Sequence, residues 1–239
     1  MLWNKSFVFA LLAGLLLACT SEPATSQELE TDDQKAIYAM GLAMANQLGQ
    51  LNFTADELEI LKAGLTDGIH GNEPKVDLQE YMPKIQAMAQ ARVQAAAEKE
   101  KGEADKFLAA EVAKDGVTQL ESGVLISTIT EGTGAQPAAT DTVKVHYTGT
   151  LRNGTVFDSS VERGEPVEFP LDQVIPCWTA GMQQIKTGGK ARLVCPPDQA
   201  YGQRGAPPQI PANAALIFEV ELLEIVKPAA PAEGETPQQ

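Results

Sequence analysis

Positive charge and aromatic rings are both scarce in this sequence, and the shortage of positive charge removes a class of partner. Lysine and arginine number 18 against 32 aspartates and glutamates, a formal net charge of −14 over 239 residues. A surface of that sign repels phosphates, which excludes nucleic acid as a partner and prevents charge alone from holding the chain to an anionic membrane. There are two histidines, His70 and His146, and neither stands near a cysteine, so a zinc site of mixed ligands has nothing to build on. The cysteines number three: Cys19, Cys177 and Cys195. Long apolar runs are missing apart from residues 7–18, which are too few for a comfortable membrane span. Aromatic residues make up 5% of the chain, and much of that small stock lies in the last hundred or so residues.

The single apolar run is informative by its position. Lys5 precedes it, and a positive start followed by a short apolar stretch reads as an export signal over residues 1–18. The run ends in Leu16-Leu17-Ala18-Cys19, which resembles the cleavage box of bacterial lipoproteins. That resemblance implies a cut before Cys19, a diacylglycerol on its sulfur and an acylated amino group. Several chains anchor stably where one does not. An ordinary secretory peptide with a coincidental cysteine is the competing reading. Thr20, not aspartate, follows Cys19, so the expected destination is the outer membrane of a Gram-negative cell, facing the periplasm or the cell surface. In an exported chain disulfides persist, and two readings of Cys177 and Cys195 stay open: a bond worth about 3 kcal/mol, or two buried thiols.

Between a polar tether at 19–31 and a Pro/Ala-rich tail at 228–239, expected to be disordered, the hydrophobic period changes once. Residues 32–114 read as helical. Ile37, Met40, Met44, Leu48 and Leu51 recur at three- and four-residue steps. Thr54 and Glu57 have the spacing of a capping box, and Gly71 suits the end of the helix that follows. A third helix is predicted from about Asp77 to Lys114. Pro83 implies a kink or a later start, and the alanine- and charge-rich stretch at 95–102 implies a span through solvent. From residue 116 the pattern is one of strands, 124–130, 142–150, 191–195 and 215–226, with Asn153-Gly154 as a two-residue hairpin signal and a single helix at 179–186. The fold class is α+β: an antiparallel sheet wrapped on a short helix over 115–227, preceded by an all-α domain with a long connecting helix.

Within 115–227, Tyr147, Phe157, Asp158, Phe169, Val174, Ile175, Trp178, Tyr201, Ile210 and Phe218 surround one acidic group with rings and aliphatics, the usual make-up of a small-ligand or peptide cup. Here the sequence resembles a known family. Val145-His146-Tyr147-Thr148-Gly149, Phe157-Asp158-Ser159-Ser160, Val174-Ile175-Pro176-Cys177-Trp178, Ala200-Tyr201-Gly202, Ile210-Pro211 and the segment around Phe218 are similar, in order, to FKBP-type peptidyl-prolyl cis-trans isomerases. The helical segment resembles the dimerisation domain of macrophage-infectivity-potentiator-like members.

The resemblance implies an isomerase that assists the folding of exported proteins, with no cofactor and no metal. Trp178 would be the floor under the prolyl ring. Tyr147, Phe157, Phe169, Val174, Ile175 and Phe218 would be the walls, with Ile175 N–H and the Tyr201 hydroxyl as donors. Asp158 would be the polar handle, and Ile210 with Pro211 a flap over the cup. Implied partners are proline-containing unfolded polypeptides, macrolide inhibitors and a second copy of the chain. The competing function is a proline-directed chaperone or binding lipoprotein with little turnover. Cys177 departs from the glycine common at its place in the family. The resemblance puts Cys177 at the start of the pocket helix and Cys195 on the strand leading to Tyr201, so a bond would tie the two together.

Overall fold

The computed structural model describes residues 28–226. The export signal, Cys19, the start of the tether and the tail at 228–239 lie outside the described residues.

Helix α1 runs Asp32–Leu48 and is followed by a single 3-10 turn, Gly49–Leu51, which closes on Asn52 at φ 47°. Helix α2 is Ala55–His70. Its capping box is closed in both directions. Glu57 N–H donates to Thr54 Oγ1 at 3.3 Å, and Thr54 N–H donates to Glu57 Oε2 at 3.0 Å. Gly71 ends the helix at φ 67°, where a side chain would be strained. Helix α3 is Leu78–Val112, 35 residues, or roughly 52 Å at 1.5 Å per residue. Pro83 neither delays nor breaks it. Asp77 accepts from Gln79 N–H at 2.8 Å, and Lys84 reaches Glu80 at 2.7 Å across the proline, so the first turns are held without the missing bond.

The expectation that residues 95–102 of α3 cross open solvent is corrected. Asn213 Nδ2 donates to the Ala97 carbonyl at 3.0 Å, Arg152 forks onto Glu100 with two bonds of 3.0 Å, and Ala104 is fully buried. Farther along, Glu111 is buried and accepts from Arg192 at 2.8 and 3.2 Å and from Lys114 at 2.7 Å. Alanine permits close approach of the backbone. The interspersed carboxylates find Arg152 at a turn of the sheet and Arg192 on a strand, which a count of apolar residues does not reveal.

The sheet is antiparallel throughout. Its strands are β1 Thr118–Gln119, β2 Leu125–Thr130, β3 Thr142–Leu151, β4 Val156–Ser159, β5 Val167–Pro170, β6 Lys190–Cys195 and β7 Leu216–Val226. Their order is β1-β2-β6-β7-β3-β4, with β5 also paired to β3. Alternation sets the inner face: Val143, Val145 and Tyr147 of β3 point inward with Leu216, Phe218, Val220 and Leu222 of β7. A one-turn helix α4, Ser160–Arg163, follows β4 directly, and helix α5, Pro176–Met182, lies on the inner face.

Two sequence-based expectations are revised. The pocket helix begins three residues before 179, because Pro176 at its first position carries a φ already suited to a helix, and it ends at Met182. The Asn153-Gly154 turn has three loop residues, not two. Gly154 N–H donates to the Leu151 carbonyl and Leu151 N–H to the Thr155 carbonyl, each at 2.9 Å. Only Gly154 has positive φ, the pattern of a type I turn closed by a glycine bulge. The short elements β1, β5, α4 and two 3-10 turns carry too few residues to show a period.

Candidate active site

Every strand on the inner face of β3, β4, β5 and β7 contributes a ring to one cup. Tyr147 comes from β3, Phe157 from β4, Phe169 from β5, Trp178 from α5 and Phe218 from β7. With Asp158, Gln173, Val174, Ile175 and Tyr201 they line a cavity of about 510 Å³. Trp178 is the common neighbour. Its ring centre lies 5.1 Å from Tyr147 and 5.4 Å from both Phe169 and Phe218, with interplanar angles of 82–87°. Edge-to-face contacts of this kind fix the tilt of each ring, beyond the apolar area they bury. Phe157 meets Phe218 in the same way at 5.6 Å. Room for that pair comes from Gly149, which pairs in register with Asp158 and Phe218; a Cβ there would come within 2.6 Å of Phe157.

Polar groups sit at the rim. The Tyr147 hydroxyl donates to Asp158, Arg163 Nη1 donates to the same carboxylate, and Arg163 Nη2 donates to the Tyr147 oxygen at 3.2 Å. Burial pushes the Asp158 carboxyl up. The hydrogen bonds from Tyr147 and Arg163, together with the guanidinium charge, outweigh it and hold the group below the ordinary carboxylate range. Burial, and then the adjoining carboxylate, raise the Tyr147 phenol. At neutral pH the site therefore presents an ionised Asp158 beside a neutral phenol. Among the described residues, the Ile175 N–H and the Tyr201 hydroxyl, both of residues lining the cavity, have no protein acceptor.

The sequence reading missed Arg163 and Gln173. For Arg163 a signal exists. Ser159 caps α4 by accepting from Glu162 N–H at 3.2 Å, so Ser-Ser-Val-Glu reads as the start of a helix, and Gly164 at φ 77° ends it one residue after Arg163. One helical turn carries that guanidinium back over Asp158. Ser160 fixes the neighbouring backbone, accepting from Tyr147 N–H at 2.8 Å and donating to the Tyr147 carbonyl at 3.3 Å. His146 faces the other side of β3, its Nδ1 3.2 Å from the Ser160 oxygen.

Ile210 does not line this cup, and its placement there is corrected. It is buried at the back of the loop after Tyr201, where Ala206 and Ile210 exchange both backbone hydrogen bonds at 2.9 Å. It lines, with Pro211, Val93 and Ala97, a different hollow of about 380 Å³. The short loop turns the isoleucine inward, a choice that neither composition nor order in the sequence reveals. Cys177 and Cys195 are joined as a disulfide, both fully buried, with Cα atoms 5.5 Å apart.

Two family models match the chain. One is described as FKBP-type peptidyl-prolyl cis-trans isomerase, over residues 134–223; the other as the domain amino-terminal to FKBP-type peptidyl-prolyl isomerase, over 33–126. An FKBP-type peptidyl-prolyl cis-trans isomerase FkpA of Aeromonas hydrophila is 44% identical over 226 residues, which are 88% of this chain and 83% of that one. An outer membrane protein MIP of Legionella longbeachae is 34% identical over 95% of this chain and all of its own length. Among solved structures, FkpA from Escherichia coli superposes with a TM-score of 0.62 at 36% identity, covering 83% of this chain and 98% of that chain. With matched segments spanning both the helical region and the sheet, and relatives this similar over most of their length, the chain belongs to the FKBP-type peptidyl-prolyl cis-trans isomerases.

Proposed function

We propose that the cup floored by Trp178 is where this isomerase turns the peptide bond before proline. The observation that carries this is one indole held edge-on by three rings at the base of an open cavity, with the Ile175 N–H and the Tyr201 hydroxyl left unpaired beside it. A prolyl amide resists rotation by about 18–20 kcal/mol, because conjugation is lost when it twists. Each ~1.4 kcal/mol by which the twisted state is favoured over the planar one gives a tenfold rate. No nucleophile is needed. The prolyl ring rests on Trp178 against Tyr147, Phe157, Phe169, Val174, Ile175 and Phe218. Ile175 N–H and the Tyr201 hydroxyl hold the carbonyls on either side. Asp158, kept ionised by Arg163, orients the substrate or polarises the twisting amide. A cup of this kind also accepts the apolar rings of macrolide inhibitors.

A protease-coupled assay on a short prolyl peptide tests the assignment. The parent protein is expected to shorten a relaxation that otherwise takes tens to hundreds of seconds. Trp178→Leu is expected to lower kcat/KM by more than tenfold while the fold, by circular dichroism, is kept. Turnover within twofold of the parent in that variant removes Trp178 from the mechanism.

The clients are read as exported polypeptides, because the N-terminal signal and Cys19 point to a lipid-anchored protein of a Gram-negative envelope. The outer-membrane name of the Legionella relative supports that reading. Radiolabelled palmitate is expected to enter the parent and not Cys19→Ala. We read the active form as a homodimer formed through the helical domain. No residue of α1 or α2 is buried, and Met40, Ile37, Ile60 and Ile69 leave 66–73% of their surface in solvent. Apolar exposure on this scale marks an interaction surface.

A further inference from the structure

We propose that the Cys177–Cys195 bridge is a positioning element of the isomerase site, setting the depth and tilt of the Trp178 indole. The inference rests on the reading of Trp178 as the floor of that site. Helix α5 has seven residues, too short to hold an orientation by its own hydrogen bonds. Its first turn is tethered backward by Trp178 N–H to the Ile175 carbonyl at 2.9 Å and by Thr179 Oγ1 to the Leu171 carbonyl at 2.6 Å. Neither bond ties it to the sheet beneath. The bridge does: Cys177 directly precedes the indole, and Cys195 is the last residue of β6, in register with Leu216 of β7.

The second fixed point is Gly181. A Cβ there would come within 2.7 Å of the Leu193 side chain, so this face of α5 already lies against β6. Cys195 and Leu193 are two residues apart and therefore on the same face of the strand. The helix is thus pinned to one strand at both ends, with Trp178 between the pins. Leu193 is in register with Phe218, so the strand pair that carries one wall also sets the floor. From Cys195 the chain continues through Pro196 and the 3-10 turn Pro197–Gln199 to Tyr201, so the anchor of the indole is also the origin of the loop that bears a rim donor. Both sulfurs are fully buried. A dissolved thiol reaches them only after the domain opens, so the bridge is a fixed member of the folded protein and not a switch.

The test uses the full chain with Trp3→Phe, which leaves Trp178 as the one tryptophan. In this background C177V/C195A removes the bond while roughly keeping side-chain volume; C177A/C195V does the same with the volumes exchanged. The expected result is a folded protein whose kcat on a prolyl peptide falls by about tenfold or more, since a misplacement near 1 Å costs up to about a hundredfold. KM is expected to move by less, and Trp178 emission to shift to longer wavelength as the indole gains water. Turnover within twofold of the parent overturns the proposal, and so does a fall in turnover with unchanged emission, because the indole has then not moved. If neither variant folds, the bridge serves stability alone and the positioning role is overturned. Trp178→Leu in the same assay separates the two readings. If it keeps turnover, the site assignment falls and this inference with it; if it loses turnover while the bridge-free variants retain theirs, only this inference falls.

Discussion

At the scale of single residues, the chemistry of the rim depends on which charge stands beside Asp158. The carboxylate is depressed despite its burial because Tyr147 and Arg163 both donate to it. A depressed carboxyl keeps its charge throughout the range above the ordinary value and loses it only as pH falls through the lowered folded value. The parent is therefore expected to show a kcat/KM flat from neutral pH down to the edge of the carboxylate range. Arg163→Ala removes one donor and the nearby positive charge. Its acid limb is expected to move to higher pH, with a loss of about fivefold at neutral pH, modest because the pair is partly in solvent. A limb at the parent's position means that Arg163 does not set the state of Asp158. The aspartate was legible as the one acid among rings. The arginine was not, because its approach depends on the single turn of α4.

At the scale of elements, two joints decide how firmly α3 and α5 sit on the sheet. Glu111 of α3 is buried against Arg192 of β6 and Lys114. Burial pushes its carboxyl up, but the hydrogen bonds and charges of Arg192 and Lys114 outweigh that, and the net shift is downward from 4.5. The stability this pair contributes is present above the unfolded glutamate value and lost as pH falls through the folded one. Glu111→Gln is expected to cost about 3 kcal/mol at pH 7, the range for breaking a buried pair, and to flatten the decline of Tm on acidification below pH 4.5. Equal slopes for parent and variant would mean that the pair does not titrate with folding. For α5, loss of the 177–195 bond, which spans 18 residues, is expected to lower the denaturant-derived stability by about 3 kcal/mol.

At the scale of the whole molecule, the helical segment leaves unfinished what the isomerase domain completes. The sheet and α5 enclose a core in which Val143, Val145, Leu171, Leu193, Leu216 and Leu222 are fully buried, whereas α1 and α2 bury no residue at all. Helices of 17 and 16 residues have little stability in water without packing on a partner. Sedimentation of the parent is expected to give twice the mass of one chain. Ile37→Glu with Met40→Glu is expected to give monomers whose turnover on a short prolyl peptide is unchanged, since neither residue lines the cup. A parent that sediments as a monomer removes the dimer reading.

Local signals carry the helices, the capping box at Thr54, the long strands and the stock of rings in the cup, because each is written in spacing along the chain and needs no distant partner. Tertiary structure alone decided the rest. Residues 95–102 looked like a solvent span until Arg152 and Asn213 arrived from 52 and 116 positions away. Ile210 looked like part of the cup until a tight loop turned it to the other side. Arg163 entered the site only when a single helical turn folded back on β4. In each case the energy lies in a contact between elements, and hydrophobic pattern is blind to which polar group or which face of a loop will meet another once the sheet has closed.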